Sequence, residues 1–233
     1  MVHIKIQKYS ILFGDILILH LTFERNDPMT MNDYTQFIES LYKKAGTHHP
    51  SKIQIIKLYM EHLNSLTEQE VSFVAMAEIV RQEQLRFEPD LTLAEAAESI
   101  NAVLRKRNVQ FAFLMAIQND LMVQFKQAFE PLQSILFEDR GTFGGDEQMA
   151  LEISNLYGTI GYTNFGYLDR EKQGFIKELD QLGKTRDDIT TTFIDDTLSA
   201  IVSAAEGRVA HIRDHGHDDE PYIDVIDIKS LKF

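Results

Sequence analysis

At 233 residues the chain is long enough for one large domain with an appendage, and its apolar content is that of an ordinary globular core. A formal charge of −13 excludes general nucleic-acid binding, which needs clustered Lys and Arg on phosphates, and the lack of cysteine excludes disulfides, thiolate zinc sites and cysteine nucleophiles. The longest apolar run, Ile11 to Phe23, contains Asp15 and His20, falls short of the about 20 residues that span a bilayer, and is followed by no small-residue cleavage site; the chain reads as soluble and cytoplasmic.

Residues 1–28 stand apart: an alternating start, the apolar run, then a break at "NDPMTMND". They read either as an extension outside the core or as an edge strand packed on it. From residue 29 to 213 the apolar period is helical, and the chain is expected to be all-α: a single bundle of about six to eight helices, with short strands at most at the extreme termini. Phe37, Leu41 and Tyr42 mark a first helix, and a second starts after Pro50. "TEQE" (Thr67 to Glu70) and "TLAE" (Thr92 to Glu95) have capping-box spacing and predict helices over 68–84 and 93–105. A long helix ends before Pro131 and a short one follows it. Next comes a Gly-rich loop, "DRGTFGGDE", leading into one helix whose apolar face is Met149, Ile153, Leu156 and Ile160. "NFGYLDREKQGFIKELDQLGK" is expected to be a loop plus a short helix, and a last long helix covers 193–213. The acidic tail, 214–233, holds His215 and His217 near acids, a composition more often solvated than metal-binding.

The last helix raises the chemical question. Ile194, Leu198, Ile201, Ala205 and Ile212 form its apolar stripe, yet Asp195 and Asp196 sit at its start. At about 100° per residue, Glu206 returns to within about 20° of Asp195, about three turns along. One reading is N-terminal acids that favour the helix dipole plus a solvated glutamate. The other is hard oxygen ligands for Mg2+. Asp146 and Glu147 open an earlier helix after Gly144 and Gly145, so two helix starts could bring four carboxylates together around one divalent cation, as helical bundles do. Between them, Asp169 and Lys172 are spaced either as a surface ion pair or as a carboxylate with a phosphate-facing lysine. "LGKT" (Leu182 to Thr185) looks like the end of a phosphate-binding loop, but Glu178 stands where that loop needs Gly.

Taken in order, these segments resemble the phosphatidylglycerophosphatase A family, and within it the soluble, all-helical Gram-positive branch sometimes called low-temperature-requirement C proteins. The likeness covers residues 67–213. Asp146 and Glu147 match the family's Asp-Glu pair; Phe165, Asp169 and Lys172 match its middle segment; Ile194, Asp195 and Asp196 match its Ile-Asp-Asp. Gly166 replaces an Arg of the pattern and Gln173 a Pro, and the membrane branch's Gly- and Pro-rich N-terminal motif is absent. The resemblance implies Mg2+-dependent removal of the terminal phosphate of phosphatidylglycerophosphate. It implies Asp146, Glu147, Asp195 and Asp196 as metal ligands, and Asp169, Lys172 and Asp195 as catalytic residues. The partners expected are an anionic phospholipid or small phosphate ester, met by peripheral contact with the inner face of the cell membrane, and further copies of the chain in a homo-oligomer. A Mg2+-dependent hydrolase of a soluble phosphate ester or nucleotide and a non-catalytic helical oligomer are the competing readings.

Overall fold

The computed structural model describes residues 30–139 and 143–215; the side chains of 214 and 215 are outside it, as are the predicted N-terminal extension and the acidic tail. The described residues form ten α-helices and no strand: α1 (Met31–Ala45), α2 (Lys52–Asn64), α3 (Phe73–Gln84), α4 (Leu93–Arg105), α5 (Arg107–Gln124), α6 (Leu132–Phe137), α7 (Gly145–Ser154), α8 (Gly158–Glu171), α9 (Gly174–Thr185) and α10 (Ile194–His215). The all-α expectation holds.

Helix α10 is the axis of the bundle. Every residue from Ile194 to Val209 is buried, and α3, α4, α5, α7, α8 and α9 pack around it, while α2 lies outside on α5 and α1 on α2. Such complete burial requires small residues on several faces. Ser199, Ala200, Ser203, Ala204, Ala205 and Gly207 let neighbouring backbones approach, and the two serine hydroxyls donate to the helix's own carbonyls, Asp195 O and Ala200 O. The approach to α8 is close: a Cβ on Gly161 would sit 3.3 Å from the Ser203 carbonyl, and one on Gly207 would press on Gly161 N at 3.1 Å.

Three local expectations change. The "TEQE" box does not start a helix. Thr67 Oγ1 donates to Gln69 O, the amides of Glu68 and Gln69 donate to the Glu178 carboxylate of α9, and α3 begins at Phe73 with Ser72 accepting from Ala75 N. A tertiary acceptor for two adjacent amides replaces the local box, whereas the Thr92–Glu95 box forms as read. The single helix predicted after the Gly-rich loop is cut in two by a 3-10 turn, Asn155–Tyr157, and by Gly158 at φ 74°, so Ile160 leaves the apolar face and is 38% exposed. The segment read as a loop continues α8 to Glu171.

Candidate active site

The first turn of α10 is fixed from outside the helix. Asp120 of α5, fully buried, accepts from the backbone amides of Phe193 (3.0 Å) and Ile194 (2.9 Å) and so serves as a cap supplied by another helix. Thr191 Oγ1 donates to Leu179 O of α9 (3.0 Å), and Thr192 Oγ1 to Leu136 O of α6 (2.8 Å). The segment before α10 is therefore tied to three helices, and Asp195 and Asp196 have one orientation.

The N-terminus of α7 meets this turn. Gly144 adopts the left-handed conformation (φ 60°), Phe143 packs edge-on to Phe193, and Asp146 Oδ1 accepts from Glu147 N at 2.9 Å. As a result, one carboxylate oxygen from each of Asp146, Glu147 and Asp196 lies within 4.8 Å of the others. Asp195 is not in this group of three; it joins the site through Lys172. The Lys172 ammonium sits 2.6 Å from Asp196 Oδ1, 2.9 Å from Asp195 Oδ2 and 2.7 Å from Asp169 Oδ1, with its side chain only 12% exposed. That overturns the surface ion pair: α8 delivers Asp169 and Lys172 inward. Lys172 itself takes φ 42° at the junction of α8 and α9, an uncommon conformation for a non-glycine residue, held by its three ion pairs.

The electrostatics follow from crowding. Burial, then the Asp195 charge, pushes the Asp196 carboxyl up to about 10. Burial pushes Asp146 up to about 7, with the Glu147 carboxyl adding to it, and Asp195 up to about 6 against the pull of Lys172. Asp169 also pays a burial cost, but hydrogen bonding from Asp196 and the Lys172 charge hold it below the ordinary carboxylate range. Glu147 Oε2 is buried with no hydrogen-bond partner. A convergent, oxygen-only donor set with an unsatisfied carboxylate oxygen fits a hard divalent cation such as Mg2+.

Glu206 is neither solvated nor part of the group. It is 1% exposed in mid-α10, where its Oε2 accepts from Asn164 Nδ2 of α8 at 2.6 Å. His211, near the end of α10, bonds Tyr157 O at 2.9 Å; the side chains of His215 and His217 lie outside the described residues. Sequence reasoning missed Asp120, Asp139, Asp180 and Lys184. Asp120 had a signal, a lone acid within "FLMAIQNDLMVQF"; Asp139 and Asp180 had none, and Lys184 lay in the "LGKT" stretch set aside.

Fold and site together define an all-helical protein with a buried carboxylate–lysine centre built at two helix N-termini. A family model described as phosphatidylglycerophosphatase A matches residues 73–211, and the chain belongs to that family. It is 41% identical over 150 residues to the uncharacterized protein YutG of Bacillus subtilis, covering 64% of this chain and 89% of the relative. Among solved structures it resembles the low temperature requirement C protein of Listeria monocytogenes (35% identity, TM-score 0.62, covering 70% of this chain and 98% of that one). It also resembles a protein of unknown function from Bacillus stearothermophilus (40% identity, TM-score 0.60, covering 68% and 93%). No helix among the described residues is long and apolar enough to cross a membrane.

Proposed function

We propose that the protein is a Mg2+-dependent phosphatase that removes the terminal phosphate of phosphatidylglycerophosphate to leave phosphatidylglycerol. The observation that carries this reading is the convergence of Asp146, Glu147 and Asp196 from separate helix starts, beside Lys172, in a member of this family. Asp146, Glu147 and Asp196 would hold the cation, with Asp195 beside them. When bound, such an ion polarises phosphoryl oxygens and makes water a better nucleophile.

The chain's own groups do the rest. Asp169, the most exposed of the three carboxylates around Lys172 and the one held charged, accepts the proton of the attacking water. The water oxygen bonds to phosphorus, the phosphorus–oxygen bond to glycerol breaks, and the proton returns to the glycerol oxygen. Lys172 offsets the negative charge gathered at Asp169, Asp195 and Asp196, so that an anionic phosphoryl group can approach them. Asp195 fixes the lysine from below. The first-turn amides of α7 and α10 add positive potential at the same place.

The net charge of −13 favours a second reading, the same chemistry on a soluble phosphate ester or nucleotide, because an anionic bilayer repels such a chain. One assay separates the two: phosphate release from vesicles carrying phosphatidylglycerophosphate and from soluble esters, each with Mg2+ or with chelator. We expect Mg2+-dependent release from vesicles, reduced about 100-fold or more in Asp196→Asn with the helical signal and melting temperature retained. Release from soluble esters alone transfers the assignment to the second reading. A folded chain that releases phosphate from neither is not an enzyme of this class.

A further inference from the structure

We propose that Lys184, on the last turn of α9, is the residue whose charge meets the substrate's phosphate, while Lys172 remains inside as the counter-ion of the carboxylates. The identity of the anion rests on the phosphatase reading above; the placement of the lysine does not.

An ammonium has three N–H donors. Those of Lys172 face Asp169, Asp195 and Asp196, all within 2.9 Å, in a side chain that is nearly closed to solvent. A phosphate reaching Lys172 must displace a buried carboxylate and leave it unpaired, which is costly. The Lys184 ammonium is not enclosed in this way. The Lys184 side chain is 55% exposed, 2.6 Å from Asp180 one turn back and 3.8 Å from Asp139. An exposed pair of this kind contributes little and exchanges readily.

Lys184 nevertheless belongs to the site. Its ammonium lies 3.8 Å from Asp139 Oδ2, the neighbouring Gly183 packs against Thr191 four residues before Asp195, and its charge reaches Asp195 as well as Asp139 and Asp180. Asp139 holds a left-handed conformation (φ 45°), and with Lys172 it accounts for two of the three non-glycine residues at positive φ among those described. The position of Lys184 is also fixed by packing. A Cβ at Gly183 would overlap Thr191 Oγ1, and that hydroxyl donates to Leu179 O, so the end of α9 is locked to the segment that leads into Asp195. From that anchor the four-carbon stem can swing the ammonium from Asp180 toward a phosphate over the carboxylates.

The test measures binding of inorganic phosphate to the full chain in the presence of Mg2+, by calorimetry, for wild type, Lys184→Met and Lys184→Arg, alongside KM and kcat. We expect Lys184→Met to weaken phosphate binding about 10-fold and to raise KM similarly, with kcat within about threefold. We also expect Lys184→Arg to recover most of the loss, and Mg2+ affinity without phosphate and the melting temperature to stay unchanged. Equal phosphate binding in wild type and Lys184→Met overturns the inference, as does a loss of Mg2+ affinity that accounts for the effect. A wild-type chain that binds phosphate and hydrolyses nothing defeats the phosphatase reading but leaves the binding comparison to decide the lysine; no phosphate binding by wild type overturns the lysine assignment itself.

Discussion

Helix α10 buries acid at two places and resolves the cost in opposite ways. At its first turn, Asp195 and Asp196 share Lys172 with Asp169, and Asp196 faces Asp146 and Glu147 at the start of α7. About three turns on, Glu206 is equally buried, but its hydrogen-bond partner is the neutral amide of Asn164, and burial pushes its carboxyl up to about 8. At neutral pH the first arrangement keeps charge on Lys172 and Asp169 while burial puts on Asp196 a proton that a cation can displace, and the second sheds its only charge as a bound proton. Only the first invites a cation. A buried acid on an apolar helix is therefore no sign of a metal; convergence of several acids with a lysine among them is the more telling pattern.

The largest way to break the comparison is to remove the lysine. Lys172→Met leaves Asp169, Asp195 and Asp196 without their cation in a nearly closed site. Breaking a buried pair this way costs about 3–5 kcal/mol, and we expect a loss of about 4 kcal/mol in urea unfolding at neutral pH. Because a divalent ion supplies the missing charge, Mg2+ should restore more of the stability lost by Lys172→Met than it adds to wild type. If Mg2+ leaves the variant as unstable as before, the carboxylates are not a cation site.

The two halves of that contrast were unequally legible in the sequence. Motif order and the placing of Asp146, Glu147, Asp195 and Asp196 at helix starts were readable because helix starts carry strong local signals, whereas Asp169 and Lys172 were read in a loop plus a short helix and stand at the end of α8. Glu206 was misread because periodicity gives rotation about the helix axis but not which neighbour covers each face, and α8 covers that one. The Thr67 box failed for the same reason: Glu178, more than 100 residues away, supplies the competing acceptor. Asp139 and Asp180 belong to no pattern and Lys184 only to the discarded "LGKT" stretch; it is the packing of α9 against the segment before α10 that fixes Asp180 and Lys184, with Asp139 3.8 Å from the lysine.

Asp120 is the second lever. It holds two buried amides at the start of α10, so Asp120→Ala leaves both donors unsatisfied. At about 1–3 kcal/mol for such a loss, we expect unfolding to ease by about 3 kcal/mol. The first turn of α10 also loses its tether, so Mg2+ affinity should fall with it, while the pH response of Glu206 should not change. Asp120→Asn keeps an acceptor and should recover part of both losses. Stability lost with unchanged Mg2+ affinity would confine Asp120 to the scaffold.

The smallest effect isolates the other half of the helix. Glu206 has a folded-state pKa of about 8 against an ordinary 4.5, so the folded protein binds this proton more tightly than the unfolded chain does. Its contribution to stability is full below about pH 4.5 and is lost as pH rises to about 8, where the buried carboxylate ionises. Glu206→Gln is neutral throughout, and its amide oxygen can still accept from Asn164. We expect wild type and Glu206→Gln to be nearly matched at pH 4, and Glu206→Gln to be more stable by about 2 kcal/mol at pH 6, measured by urea unfolding across that range. Mg2+ should not alter the difference, because Glu206 lies along α10 from the carboxylate group. A Mg2+-dependent change in that pH response would tie the two regions into one site and remove the contrast between them.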